Sequence, residues 1–280
     1  MDLEIERKED GTVQVNQSAY TRKVLERFGM QDCKPVSTPI VKEDIQLGKE
    51  NAELSTTFPY REAVGALMYL MTSTRPDIAF AVSVVSRKLE SPSKTDVLRV
   101  KRIFRYLKGT AELGITYKPG VKDELISFSD AYHGGDDTTG RSTTGVLCMY
   151  TGGAISWYSQ LQTSVAISTT EAELVAASEA AREMVWLKRL FEEITTLKSV
   201  PILWVDNEAA IKLTQNPEYH RRTKHIHIRH FFVRELVLDG IIQVEKVSSV
   251  SQLADMMTKP LFKPRLHMLR NIIGMTLIIQ

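Results

Sequence analysis

The spacing of apolar positions changes near residue 120 of this 280-residue chain. Before that point it is mostly helical. Leu3, Ile5, Val13 and Val15 alternate with polar residues around Glu9-Asp10-Gly11, which predicts a hairpin over 3–15, since an Asp-Gly pair tolerates positive φ. A short helix is expected over 18–28, with Val24, Leu25 and Phe28 on one face and Gly29 as its stop. Residues 31–57, with Pro35, Pro39 and a polar run, read as a loop or linker. Helices follow over 60–71 and over 76–89, the second opening on Pro76. Ser93-Lys94-Thr95-Asp96 resembles a capping box before a third, whose stripe is Val97, Val100, Phe104 and Leu107. Gly109 ends that helix. Lys118-Pro119-Gly120 marks the boundary between a domain of residues 1–120 and one of residues 121–280.

Beyond the boundary the period shortens. Residues 125–129, 145–150 and 154–159 are strand-like runs joined by Gly-, Asp- and Thr-rich turns, and a long helix is expected from Thr169 to about Glu193. A strand at 202–205, helices at 208–214 and 226–238, a strand at 241–247 and a last helix at 251–258 complete the pattern. This order, βββαβα(α)βα, implies an α/β domain with a mixed sheet flanked by helices.

Composition narrows the class. A chain with 43% hydrophobic and 25% charged residues can build cores, and a net charge of +2 is too mild to argue for nucleic acid globally. Two cysteines, Cys33 and Cys148, provide neither a disulfide framework nor a metal cluster. The first residues lack an apolar signal core, and no apolar run is long enough to span a bilayer. The expectation is an intracellular protein, cytoplasmic or nuclear, not secreted and without a membrane partner.

Candidate chemistry lies in carboxylates. Glu171 and Glu173 fall in the first turn of the long helix, where the dipole favours negative charge, and Asp130, Asp206 and Asp255 sit where apolar runs stop. Strand ends converging on one helix start can gather Asp130, Glu173, Asp206 and Asp255. Oxygen-rich sites of that kind suit magnesium, and two such ions would support phosphodiester hydrolysis. Each acid also has a plainer role. Thr170 and Glu173 fit a capping box, Asp206 could cap the next helix, Asp255 could answer a helix dipole, and Asp130 could make a turn.

Basic clusters are local. The run from His220 to Arg234 has no acidic residue, and its Arg221, Arg222, Lys224, Arg229 and Arg234 could follow a phosphate backbone or simply form a solvated face. The same two readings apply to Lys101, Arg102, Arg105 and Lys108. The intervals among His220, His225, His227 and His230 do not match a tetrahedral zinc site. Trp186, Leu187, Met68 and Met71 are expected in the core.

Longer motifs then carry a resemblance. The runs Phe128-Ser129-Asp130-Ala131, Arg141-Ser142-Thr143-Thr144-Gly145, Gly153-Ala154-Ile155-Ser156-Trp157, Ser168-Thr169-Thr170-Glu171-Ala172-Glu173, Val205-Asp206-Asn207-Glu208, Arg222-Thr223-Lys224-His225-Ile226 and Leu253-Ala254-Asp255-Met256-Met257-Thr258-Lys259-Pro260-Leu261 follow one another as in copia-type retrotransposon ribonuclease H. Upstream, Lys34-Pro35-Val36-Ser37-Thr38-Pro39, Tyr60-Arg61-Glu62-Ala63-Val64-Gly65, Thr74-Arg75-Pro76-Asp77-Ile78-Ala79 and Arg105-Tyr106-Leu107-Lys108-Gly109-Thr110 resemble the end of the same family's reverse transcriptase. Nearly the whole chain is covered.

The resemblance implies a ribonuclease H-like domain with a mixed five-stranded sheet, preceded by a mostly helical reverse-transcriptase remnant. It implies cleavage of the RNA strand of an RNA–DNA hybrid with two magnesium ions, or manganese as substitute, and other Pol fragments as candidate partners. It makes Asp130, Glu173, Asp206 and Asp255 the metal-binding acids and prefers Glu173 to Glu171. The chain departs from the pattern at Tyr132 and His133 (usually Asp-Trp), at Gln160 and Leu161 (usually a basic pair) and at His227 (usually Asp). It begins after the family's paired-aspartate polymerase motif, so polymerase activity is expected to be absent. The rival reading is an inactive or repurposed fragment that binds nucleic acid or protein.

Overall fold

The computed structural model describes residues 2–42, 58–195, 199–215 and 224–278. The chain forms two compact units, Met1–Pro119 with Pro260–Gln280, and Gly120–Lys259.

In the first unit, strands β1 (Glu4–Arg7) and β2 (Val13–Asn16) form the expected hairpin. Asp10 Oδ1 accepts from the Thr12 amide at 2.8 Å, and Gly11 takes a φ of +83°. Helices α1 (Ser18–Arg27), α2 (Tyr60–Ser73), α3 (Ala79–Ser86) and α4 (Lys94–Lys108) follow, α3 being preceded by a 3-10 turn at Pro76–Ile78. The capping box of α4 closes reciprocally. Ser93 Oγ accepts from the Asp96 amide at 3.2 Å, and Asp96 Oδ2 accepts from the Ser93 amide at 2.9 Å. The stretch before residue 43 packs on α4. Arg105 Nε donates to Lys34 O at 2.8 Å, Arg102 Nη2 to Thr38 Oγ1 at 3.1 Å, and Ile40 is buried. Two cations of the α4 basic face are therefore engaged by this chain's own loop. The rest of the expected linker, 43–57, lies outside the described residues.

Strand β3 (Leu113–Tyr117) pairs with β2 and was not marked by the sequence pattern. It is short, and its other neighbour is distant in sequence.

The second unit holds strands β4 (Ile126–Tyr132), β5 (Thr143–Tyr150) and β6 (Gly153–Leu161) and helix α5 (Thr169–Ile194). Strand β7 (Ile202–Val205), helices α6 (Glu208–Gln215) and α7 (Lys224–Leu238), strand β8 (Gln243–Lys246) and the single-turn helix α8 (Asp255–Thr258) complete it. The sheet order is β6-β5-β4-β7-β8; β5 runs antiparallel to β4 and β6, while β4, β7 and β8 run parallel. This mixed five-stranded sheet with flanking helices is the ribonuclease H-like architecture.

Chain order then returns to the first unit. Helix α9 (Lys263–Ile272) leads to β9 (Met275–Leu277), which pairs with β3. The second compact unit itself ends at Lys259. The last segment completes a four-stranded antiparallel sheet, β1-β2-β3-β9, beside the helices of the first unit.

Small side chains let α5 approach the sheet. Ala172, Ala176, Ala177, Ala180 and Ala181 are fully buried beside Leu174, Met184 and Leu187. One residue off that stripe the helix turns to solvent. Trp186, expected in the core, is 58% exposed, and Met68 on α2 is also exposed. Among the described residues no helix is long and apolar enough to cross a membrane.

Helix α8 lies directly on β5. A Cβ at Gly145 would come within 2.6 Å of Thr258 Cγ2 and 2.7 Å of Met257 Cβ, so only glycine admits the helix there. We expect Gly145→Ala to destabilise the second unit by about 1–3 kcal/mol through overpacking. Chemical denaturation should show a lowered midpoint; an unchanged midpoint would refute the close-packing account.

Candidate metal-binding active site

Register brings the acids together. Strands β4 and β7 are parallel neighbours, with Phe128 opposite Trp204, and continuing that pairing two residues onward sets Asp130 level with Asp206. The carboxyl ends of parallel strands are where open α/β sheets place ligand sites. Helix α5 starts alongside and contributes Glu173. One ligand oxygen from each of Asp130, Glu173 and Asp206 lies within 4.8 Å of the others.

The local hydrogen bonds separate these acids from the plainer roles. Ser168 Oγ accepts from the Glu171 amide at 3.1 Å, while Glu171 Oε2 accepts from the Ile167 amide at 2.8 Å. Ser168 and Glu171 therefore cap α5, leaving Glu173 free to accept from the Ala131 amide at 3.3 Å. Likewise Asn207 Oδ1, not Asp206, accepts from the Ala210 amide at 2.9 Å at the start of α6. Asp206 Oδ2 instead accepts from the Ser249 hydroxyl at 3.1 Å. Asp130 lies inside a strand, 2% exposed, rather than in a turn.

The fourth acid, Asp255, lies beside the three. Lys259 Nζ is 2.7 Å from Asp255 Oδ1 and 3.3 Å from Asp130 Oδ2, and the Thr258 hydroxyl donates to Asp130 Oδ2. Gln252 anchors this segment, donating to Ser129 O at 2.9 Å and accepting from the Ala254 amide at 3.2 Å. Lys259 and Thr258 were not singled out as site residues. They are the last polar residues of the Asp255 motif, and an i, i+4 spacing from Asp255 was the available signal.

Burial governs the electrostatics. It pushes the Glu173 carboxyl up to about 9, and the charges of Asp130 and Asp206 add to the push. Burial also raises Asp130, despite Lys259 and the Thr258 hydroxyl, with Asp255 and Asp206 contributing. Burial opposes the Lys259 ammonium, yet Asp130 and Asp255 overcome it and hold the pKa above the ordinary lysine range. Glu173 Oε2 is buried with no hydrogen-bond partner. An all-oxygen donor set that resists ionising, with one orphaned carboxylate oxygen, fits a hard divalent cation.

The basic residues are placed unevenly. Arg229 and Arg234 lie on α7, and the Arg234 guanidinium sits 5.7 Å from the Phe231 ring centre. Lys224 opens that helix, while Arg221 and Arg222 lie outside the described residues.

Comparison with known proteins gives the following. The chain is 42% identical over 93% of its length to the retrovirus-related Pol polyprotein from transposon TNT 1-94 of Nicotiana tabacum, and covers 20% of that protein. It is 36% identical over 94% of its length to the retrovirus-related Pol polyprotein from transposon RE1 of Arabidopsis thaliana, covering 18% of it. The chain thus spans about a fifth of these relatives. The N-terminal RNase H domain of a Mycobacterium tuberculosis protein is 9% identical, with a TM-score of 0.36, over 54% of this chain and 98% of that one. No protein-family model matches.

Two outcomes follow from the raised carboxyls. A divalent cation held by Glu173 would displace its proton, so divalent-cation affinity should rise from pH 6 towards the pKa near 9, with proton release measurable by calorimetry in buffers of different ionisation enthalpy. Affinity independent of pH would contradict it. In the metal-free protein, Glu173 has a folded pKa above the ordinary 4.5, so its protonated form stabilises the fold at low pH and that contribution is lost as pH rises towards about 9. Glu173→Gln should flatten this decline, and thermal melts across the range would show it.

Proposed function

The chain belongs to the Pol polyproteins of copia-type retrotransposons, and from that membership we propose that its second unit hydrolyses the RNA strand of RNA–DNA hybrids with magnesium. The observation that supports this best is the convergence of Asp130, Glu173 and Asp206 at the ends of two parallel strands.

These three residues would hold magnesium, or manganese in its place. Asp255 would complete the ligands of a second ion and position water. Bound magnesium supplies Lewis-acid charge and a water of lowered pKa. The chain's own part is to fix the acids. The Ala131 amide orients Glu173, Thr258 and Lys259 orient Asp130, and Ser249 orients Asp206. Lys259 also offsets the acids' mutual repulsion while the cation is away.

Helix α7 would carry the grip on the duplex through Arg229 and Arg234, joined by Lys224, Arg221 and Arg222 along the phosphates. A hybrid is recognised by shape and 2′-hydroxyls, so sequence preference should be weak. The first unit would be the end of the polyprotein's reverse transcriptase, its domain limit falling near residue 120.

Cleavage of a labelled hybrid with magnesium tests the reading. EDTA should abolish cutting, and Asp206→Asn should lower it by about 10²-fold or more, the scale of removing one electrostatic contact to a reacting centre. A folded Asp206→Asn protein that still cuts at the wild-type rate would overturn the assignment.

A further inference from the structure

The fourth acid joins the cluster through a base. Among the described residues the oxygens that gather within 4.8 Å of one another belong to Asp130, Glu173 and Asp206, and Asp255 is outside that group. Lys259 Nζ lies 2.7 Å from Asp255 Oδ1 and 3.3 Å from Asp130 Oδ2, so its ammonium bridges Asp255 to a member of the trio. The bridge is locally encoded. Four residues apart around α8, the Asp255 and Lys259 side chains share one face, and the Lys259 amide donates to Asp255 O at 3.2 Å.

Burial differs between the bridge and what it bridges. The Asp130 and Asp255 side chains are nearly closed to solvent, at 3% and 13% exposed, whereas that of Lys259 is 35% exposed. Two carboxylates facing one gap repel strongly where water cannot screen them, and a cation between them offsets that repulsion. A lysine head group is a compact point charge on an unbranched, flexible stem. The Lys259 backbone is pinned at the end of α8, while Thr258 holds Asp130 and Gln252 holds the Asp255 segment independently of the ammonium. The head group can therefore leave the gap without moving the acids. A divalent ion entering the same gap has to replace it.

We propose that Lys259 occupies the place of the second divalent ion and competes with it, an internal cation held between Asp130 and Asp255 until the ion displaces it. The assignment rests on the reading of the acids as a two-ion nuclease centre and adds how that centre is regulated. Asp130, Glu173 and Asp206 take the first ion with Lys259 in place. The second reaches Asp130 and Asp255 only as the lysine head group swings towards solvent. The two ions are bound with unequal strength, and the chain stays in its one-ion form when divalent cations are scarce. Removing the lysine charge should then strengthen the second ion, the reverse of what a purely supporting role for Lys259 would give.

Titration of the full chain with manganese at constant pH, with free ion read by electron paramagnetic resonance, counts the ions and gives their affinities. Wild type should take one ion tightly and a second weakly. Lys259→Gln should bind the second ion roughly tenfold more tightly, with a smaller change at the first, because a competing charge has been removed from one place. Lys259→Met is a second neutral variant, and retained binding of the first ion shows in each that the trio is folded. Lys259→Arg keeps the charge and should leave the second ion weak. Adding Asp255→Asn to Lys259→Gln should abolish the gain. Second-ion affinities within about twofold of wild type for both neutral variants would overturn the proposal, as would a gain that survives Asp255→Asn. A wild type that binds manganese and cuts hybrid while showing either result sinks the role of Lys259 alone. One that binds no manganese sinks the nuclease reading with it.

Discussion

The second unit depends on mutual repulsion among carboxylates at one end of its sheet. Asp130 and Glu173 are both under 10% exposed, with Asp206 close enough to push on the ionisation of both and Asp255 on that of Asp130. Water cannot screen charges placed there, so the fold admits the cluster by keeping protons on part of it and by bringing Lys259 against it. Neither device satisfies Glu173 Oε2. A structural site would be expected to have filled that acceptor; a site for a cation would leave it open. The surrounding devices serve the same end, since Gly145 admits α8 against β5 and α8 delivers Thr258 and Lys259 to Asp130.

How the helix starts are capped decides which acids remain available. Sequence spacing allowed Thr170 with Glu173, or Asp206 alone, to act as caps. In the structure Ser168 with Glu171 and Asn207 take those tasks one or two residues away. Capping needs an oxygen at the first exposed amides, and each chain segment supplies a dedicated residue for it beside the acid turned to the cluster. Glu171 and Glu173 are two residues apart and point to different sides of α5, so one can close the helix while the other reaches Ala131.

Much of the second unit was legible because its signals are local. Alternation gave β4, β5 and β6, the long amphipathic run gave α5, and the acids stood at the ends of apolar runs. Long-range pairing was less visible. Strand β3 is flanked by β2 and β9, and β9 lies some 160 positions away at the far end of the chain, so no window of sequence marks their union. The exposure of Trp186 was missed because one step around a helix turns a side chain by about 100°, which separates it from buried Leu187. Lys259 is less legible, because a base at the end of the Asp255 motif carries no metal-ligand signal and meets Asp130 only in the folded chain.

The first unit provides the control that nature of burial alone does not make a site. Asp77 is as buried as Asp130, and burial pushes its carboxyl up too, yet Arg75, with Arg270 and Tyr106, overcomes this and holds it below the ordinary range. Arg75 Nε and Nη2 grip its two oxygens at 2.9 and 2.8 Å, Tyr106 donates at 2.6 Å, and Arg270 Nη1 donates to the Tyr106 hydroxyl at 2.9 Å. Every acceptor of Asp77 is answered from within the fold, and α4 and α9 are tied together by the network. Such a carboxylate has nothing left to offer a ligand. Asp130 and Glu173 move in the opposite direction because their cations and donors are too few, and that shortfall, rather than burial or acidity, distinguishes the cluster as a place for an external cation.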